Sequence, residues 1–211
     1  EASLKSVCEE IAQKGGECSY YKVDITDRFQ VSEFIKNILK SHGKIDILIN
    51  NVGGGGTWGD IDYSNNIDKD FWDDVFMKNL VVARRLTQKV LSGMIENHWG
   101  RVITISSIYG REGGGKPAFA VAKSAEIALM KAFSKDRYLV RNGITFNTVA
   151  PGHIFIPDHN SFTELNIENL PMGRIGASVD VANVVGFLSS QQASYINGSC
   201  IVVDGGESYS L

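Results

Sequence analysis

The sequence predicts an α/β fold built on a parallel sheet with helices on both faces, and three observations point to it. Short β-prone apolar runs alternate regularly with stretches of helical periodicity. Strands separated by helices need crossover connections, which make neighbouring strands parallel and put helices on the sheet faces. No Pro/Ser-rich linker or composition break divides the 211 residues, and 43% hydrophobic content suffices for one substantial core, so a single domain over residues 1–211 is expected.

The elements follow in order. An amphipathic helix starts at once, with Leu4, Val7, Cys8 and Ile11 on one face, and stops at Lys14-Gly15-Gly16. The β-prone Cys18–Val23 comes next and is closed by Asp24. Thr26 or Asp27 can cap a second helix whose stripe of Val31, Phe34, Ile35, Ile38 and Leu39 runs to His42-Gly43. Ile45–Ile49 reads as a buried strand, and a glycine-rich loop from Asn50 to about Asn66 leads to helical sequence over Asp68–Asn97, bent near Lys78. Arg101–Ile105 is a strand. Pro117 suits a first helical turn, and Ala118–Arg141 reads as one long helix ended by Asn142-Gly143. Ile144–Val149 is the next strand, and Pro151–Pro171 has no readable periodicity. Ser178 caps a helix through Leu188, and Cys200–Val203 precedes Asp204-Gly205-Gly206. That makes five strands.

Charge and composition narrow the function classes. A formal charge of -3 with no Lys/Arg-rich block argues against a nucleic-acid or anionic-membrane surface and favours a small-molecule partner. Cys8, Cys18 and Cys200 are odd in number and form no C-x-x-C, so neither a disulfide framework nor a zinc site is expected, and a reducing, cytoplasmic setting fits. No apolar run reaches the roughly 20 residues needed to span a bilayer, and the start has no signal-peptide pattern, so a soluble protein is expected. The four histidines, His42, His98, His153 and His159, have no metal-like spacing, no carboxylate pair stands out, and Glu112 and Asp136 read as solvated charges.

In parallel α/β sheets ligands bind outside the carboxyl ends of the strands, where Asp24, Asn50–Gly53, Ser106-Ser107 and Pro151-Gly152 fall. In Asn50-Asn51-Val52-Gly53-Gly54-Gly55-Gly56, after a buried strand, small residues let a flat ligand approach the backbone, although a flexible loop would look the same. Asp24 can accept from an adenine or ribose, or act as a local cap. Asn79, where the helix bends, can bridge a backbone irregularity or hold a water for proton relay. Ser107 can hydrogen-bond a substrate carbonyl or sit in an ordinary turn. Phe119 and Lys123 lie one helical turn apart on one face. A tyrosine in place of Phe119 would give a phenol whose pKa the ammonium lowers; phenylalanine keeps the shape and loses the proton. Lys123 in an alanine-rich helix needs a partner for its buried charge, a ligand hydroxyl or a backbone carbonyl. Tyr109 is no substitute phenol, because it lies outside that helix.

Together these residues resemble the short-chain dehydrogenase/reductase family over nearly the whole chain. The family's N-N-A-G appears as Asn50-Asn51-Val52-Gly53, its helical asparagine as Asn79, its serine as Ser107 and its lysine as Lys123. Asn147-Thr148-Val149-Ala150-Pro151-Gly152 is similar to its N-x-V-x-P-G turn, and Pro171-Met172-Gly173-Arg174 and Asn197-Gly198 through Asp204-Gly205-Gly206 to its C-terminal signatures. The resemblance implies a Rossmann-like, doubly wound, three-layer fold and an NAD- or NADP-dependent oxidoreductase that interconverts a hydroxyl and a carbonyl by hydride transfer. It assigns Ser107 to carbonyl polarisation, the Phe119 position to proton exchange, Lys123 to the ring residue and the nicotinamide ribose, and Asn79 to a water relay. Asp24 and Ile25 would contact adenine, Asn51, Val52 and Gly53 the adenosine side, and Pro151, Gly152 and Ile154 the nicotinamide. Helices 68–97 and 118–141 resemble those that pair across the family's two-fold, implying a homodimer or homotetramer.

Three departures qualify what the resemblance implies. Phe119 stands at the tyrosine position, and Ser107 precedes it by twelve residues where thirteen is common; Ser106 restores thirteen, but Ser107 fits the S-x-x-G anchor better. Ile156 stands where the family often has a carboxamide-binding threonine. The family's first strand, glycine-rich loop, first helix and second strand have no counterpart, because Glu1 aligns with the helix after the second strand. That loop and helix N-terminus would supply the N–H groups and dipole end for pyrophosphate, so weak dinucleotide binding and an unpaired edge at Ile45–Ile49 are expected of a truncated version of a longer chain. The alternative function is a catalytically impaired or inactive relative that binds a ligand or another subunit.

Overall fold

The computed structural model describes residues 2–55, 69–156 and 167–210, and the chain divides into two compact units, Glu1–Gly43 and Lys44–Leu211. The first unit holds two helices, α1 (Ala2–Gln13) and α2 (Arg28–His42). Asp27 starts α2 by accepting from the N–H groups of Phe29 and Gln30, and Gly43 ends it at φ 78° with its N–H on the Leu39 carbonyl. The β-prone run Cys18–Val23 forms no strand, because extended backbone becomes a strand only with a ladder partner and none is formed by this segment. The expectation of unpaired cysteines is also corrected. After α1, Gly15 at φ 82° turns the chain back, so that Cys18 lies opposite Cys8 with their Cα atoms 5.2 Å apart, and the two form a disulfide while Cys200 stays free. The cysteines therefore no longer argue for a reducing setting.

The second unit is a four-stranded parallel sheet, β1 (Ile47–Asn50), β2 (Gly100–Ile105), β3 (Ile144–Pro151) and β4 (Cys200–Val203), in that spatial order. Its register aligns Asn50 with Thr104, Thr104 with Thr148, and Pro151 with Val203, so the carboxyl ends of the strands lie level along one rim. Among the described residues β1 pairs with β2 alone, leaving an edge on which Ile47 and Ile49 are each 41% exposed.

Alternation along the strands gives each face its own helices. On one face Ile103 and Val149, with Ile105, Ile201 and Val203, pack against Leu188, Val181, Val184 and Val185 of α8 (Ser178–Ser189). The opposite face takes α4 (Val82–Glu96) and α6 (Pro117–Phe133): Asn50 donates to Thr87 of α4 and Thr104 of β2, and Phe133 stacks on Phe146 at 5.3 Å.

Three helical expectations are refined. The bend near Lys78 is a π segment, Met77–Val81, between α3 (Lys69–Phe76) and α4. The long helix divides into α6 and α7 (Arg137–Arg141), because Asp136 accepts from Tyr138 N and Leu139 N and starts a new helix. Asp136 is thus an exposed charge, as expected, and also a cap. Ser178 is the first helical residue of α8, not its cap; the carboxylate of Asp180 reaches back to the Ala177 N–H at 2.8 Å. Between β2 and α6 sits α5 (Tyr109–Glu112), and Glu112 accepts from the N–H groups of Tyr209 and Ser210, tying down the C-terminal segment. Within 151–171 the described residues include a bridge between Ile154 and Gly176 and a 3₁₀ turn at Ile167–Asn169; the rest of that stretch, and of the glycine-rich loop beyond Gly55, lies outside the described residues.

Candidate active site

The level strand ends open into a cavity of about 770 Å³, lined by Asn51 after β1, Ser106 and Ser107 after β2, Phe119 on α6, Pro151 at the end of β3 and Gly152 and His153 after it. Ile154, Ile156 and the apolar side of α8 close its far wall. Six residues singled out in the sequence, Asn51, Ser107, Phe119, Pro151, Gly152 and Ile154, thus share one cavity. Asp24 and Ile25 belong to the first unit, where the Asp24 carboxylate accepts from the hydroxyl and N–H of Thr26 at 2.7 and 2.9 Å. These bonds, the hydroxyl's above all, hold its pKa below the usual carboxylate value. Val52 is 48% exposed and is not among the described cavity-lining residues.

Behind the cavity, two polar side chains, Asn79 and Lys123, converge on the loop after β1. Asn79 is fully buried in the π segment; its Nδ2 donates to the Val75 carbonyl at 2.7 Å and the Gly54 carbonyl at 2.9 Å, while its Oδ1 accepts from the Gly54 N–H at 3.2 Å. A π bulge shifts the carbonyl ladder of a helix, and here the amide both satisfies a carbonyl of the preceding turn and clamps the loop. Gly53 comes so close that a Cβ there would meet Asn79 Oδ1 and lie 2.9 Å from Lys123 Nζ. The absence of a side chain at this position is therefore a packing requirement.

Lys123 is 5% exposed, and its Nζ donates to the Ile105 carbonyl at 2.8 Å, the backbone partner expected of a buried ammonium. A second partner has no counterpart in the sequence reading. Glu126, 1% exposed and three residues on along α6, accepts from Nζ at 3.0 and 3.4 Å. Burial pushes the Glu126 carboxyl up to about 7, against the pull of Lys123. The clue was a carboxylate at i+3 from a buried lysine, in a helix whose other buried residues are Ala118, Ala120, Ala122 and Met130.

The two serines separate by their bonds. Ser106, 5% exposed, donates to the Lys123 carbonyl at 2.8 Å, and Gly110 packs so tightly there that a Cβ would lie 2.9 Å from both that oxygen and the Ser106 hydroxyl. Ser124 returns a bond to the Gly110 carbonyl at 2.7 Å, locking α5 onto α6. Ser107 is less engaged, its hydroxyl accepting from Tyr109 N at 3.2 Å. Phe119 packs with Val75, Ala118 and Ala122, and its ring centroid is 5.7 Å from Lys123 Nζ, a distance at which the ring face attracts the cation. Burial, and then the charges of Glu207 and Glu112, raise the pKa of Tyr109, the opposite of what a proton-exchanging phenol near neutrality needs. Among the described residues no group of three or more His, Cys, Asp or Glu could hold a metal, and no helix is long and apolar enough to cross a membrane.

Comparison with known proteins agrees with this geometry. The family described as enoyl-(acyl carrier protein) reductase matches residues 1–208. Relatives include the 3-oxoacyl-[acyl-carrier-protein] reductase of Staphylococcus epidermidis, 33% identical over 210 residues that make up 96% of this chain and 82% of that protein. The enzyme of the same name from Thermotoga maritima is 32% identical over 209 residues, 97% of this chain and 82% of its own. That from Chlamydia pneumoniae is 33% identical over 214 residues, with the same coverage of each chain. With the parallel sheet, its rim, the serine after β2 and the lysine on α6 already in place, these matches show that the chain belongs to the short-chain dehydrogenase/reductase family of oxidoreductases.

Proposed function

We propose that this chain is a nicotinamide-dependent oxidoreductase that interconverts a carbonyl and a hydroxyl, with the ketone of a 3-oxoacyl thioester as its substrate class. The observation that carries the reading is the shared cavity: Asn51, Ser107, Phe119 and Pro151-Gly152 come from four separate segments and meet at the strand ends, with Lys123 held just behind them. The substrate class follows the activity named for the relatives.

The residues present fit the nicotinamide end of a dinucleotide. Gly53 leaves the backbone bare beside Asn79 and Lys123, and Pro151-Gly152 with Ile154 gives a flat, mostly apolar wall. Asn51 and Gly53 would border the adenosine side, and Lys123 Nζ would reach the ribose hydroxyls. Ile156 lines the same wall and offers a carboxamide no hydrogen bond. When bound, the dinucleotide supplies or takes the hydride. Ser107 Oγ donates to the carbonyl oxygen and raises the electrophilicity of its carbon. Lys123 contributes a positive field, which Glu126 offsets in part while keeping the ammonium in place. Phe119 excludes water and shapes the pocket without exchanging a proton. The helices expected to pair across a two-fold carry half-exposed apolar side chains, Trp72 on α3 and Val121 on α6, which supports a homodimer or homotetramer as part of the proposal.

One observation favours a second reading, a ligand-binding relative without turnover: Phe119 has no ionisable group and the Lys123 ammonium is already shared between Glu126 and Ile105. Stopped-flow oxidation of NADH and NADPH over an acetoacetyl thioester separates the two. Turnover by the parent chain supports the enzyme; cofactor or thioester binding with no turnover supports the binding relative.

A further inference from the structure

A carbonyl that gains a hydride first carries the negative charge of an alkoxide, and Phe119 offers no proton to quench it. Lys123 is the positive charge that answers the alkoxide, and Glu126 stands beside it. We propose that Glu126 is a positioning residue whose own proton gates Lys123: with the carboxyl protonated the ammonium acts on the site at full strength, and with the carboxyl ionised much of that charge is offset. This inference deepens the function proposed above and rests on it for its consequence in turnover.

The pair belongs to the core and not to a solvated face. Lys123 and Glu126 lie one turn apart on the buried side of α6, and Nζ stands 3.0 and 3.4 Å from the two carboxylate oxygens. Burial removes the water that would screen them, so a change of charge on one is felt strongly by the other. Nζ is also tied to the cavity. It donates to the carbonyl of Ile105 at 2.8 Å and lies 5.7 Å from the centroid of the Phe119 ring, and both of those residues line the cavity. On a third side a Cβ on Gly53 would be 2.9 Å away. Glu126 is not among the described cavity-lining residues, so it acts through Lys123.

Of the elements packed against α6, β3 carries no titratable side chain. Arg101 of β2 donates to the carbonyls of Gly100 and Gly143; Asp74 of α3 pairs with Lys78 of the π segment, and Asp73 is exposed. On α5, Tyr109 packs edge-on against His153, Arg111 is half-buried, and Glu112 accepts from the N–H groups of Tyr209 and Ser210. Among the described residues Lys123 is the charged group that acts on the Glu126 carboxyl, and it pulls against burial. With that carboxyl at about 7, both states of the pair occur around neutral pH. Below that value the pair carries one net positive charge, and above it none. As the carbonyl carbon gains its hydride, the π pair moves onto oxygen and the alkoxide takes its proton from water. A net positive charge behind Phe119 stabilises that oxygen, and the ionised pair does so less. Reduction is therefore faster on the acid side.

Two measurements on the full chain test this, and the first needs neither cofactor nor turnover. Phe119→Tyr places a phenol beside Lys123 as a reporter of its field, and tyrosinate absorbance is followed against pH in Phe119→Tyr and in Phe119→Tyr/Glu126→Gln, each referenced to the same chain with Phe119 in place. The carboxylate is ionised throughout the phenol range in the first and absent from the second, so the phenol of the double variant is expected to titrate lower by about one unit. Glu126→Met, uncharged and of similar volume, should give the same shift. Equal phenol titrations, or a shift confined to one of the two Glu126 variants, overturn the inference. The second measurement is kcat for NADH or NADPH oxidation over an acetoacetyl thioester from pH 5 to pH 8. The parent should lose roughly 3- to 30-fold through about 7, whereas Glu126→Gln should lack that step and exceed the parent at pH 8. A merely structural role would scale the whole profile by one factor, and parallel profiles overturn the inference while leaving the function proposal standing. No turnover by the parent at any pH sinks the function proposal, and the phenol comparison alone then decides the inference.

Discussion

Replacing Glu126 with Gln isolates the cost of the buried carboxylate beside Lys123. The side chain is 1% exposed, and burial raises its pKa from 4.5 to about 7. Between those values the folded protein holds a proton that the unfolded chain has released. Stability from this group is therefore complete below about 4.5 and declines as pH rises through 7. A shift of one unit corresponds to about 1.4 kcal/mol, so this interval gives an upper bound of about 3 kcal/mol. The amide introduced by Glu126→Gln does not titrate, yet its oxygen can still accept from Lys123 Nζ, which stands 3.0 Å from the carboxylate in the parent. Urea unfolding of parent and Glu126→Gln at pH 5 and pH 8 reads the difference directly. The Gln variant should gain on the parent from pH 5 to pH 8 by a few kcal/mol at most. A difference that stays constant, or one that shrinks with pH, would refute the claim that a raised carboxyl pKa sits in this core.

Gly53→Ala should weaken cofactor binding and destabilise the fold by ~1–3 kcal/mol, since the new methyl meets Asn79 and Lys123 rather than open space; unchanged melting and unchanged nicotinamide titration would contradict that packing. Asn79→Ala should cost about 1–3 kcal/mol in urea unfolding, because it strips partners from the Val75 carbonyl and from both backbone groups of Gly54, and a neutral effect would rule out the clamp. Thiol titration of the denatured chain should find one reactive cysteine before reduction and three after, from the Cys8–Cys18 bond and free Cys200; three before reduction would exclude the disulfide.

Local patterns in the sequence carried far. The apolar runs at β1–β4 and the glycine stops at Gly43 and Gly143 are short-range signals, and the structure has strands or helix ends at each. The bend expected near Lys78 is a π segment, in which Asn79 bonds the loop after β1. What failed depended on partners. Cys18–Val23 has strand propensity but forms no ladder, and the capping role of Asp136, an exposed charge as read, rests on its bonds to the N–H groups of Tyr138 and Leu139. At the site, Ser107, Phe119 and Lys123 could be read by spacing along α6 and its upstream strand end. Glu126 was legible in principle at i+3 from Lys123. The contact of Glu207 with His153 was not, since 54 residues separate the two and only the fold brings β3 and β4 side by side.

In the function proposed, the site carries hydride chemistry while Phe119 contributes no proton. Its most direct test is single-turnover oxidation of NADH or NADPH by the parent chain and by Phe119→Tyr, over an acetoacetyl thioester. Measurable turnover by the parent is expected, with a gain of roughly 10²-fold or more in the Tyr variant, as a phenol beside Lys123 adds a proton path. Equal rates in the two proteins, or no reaction in either, would contradict it.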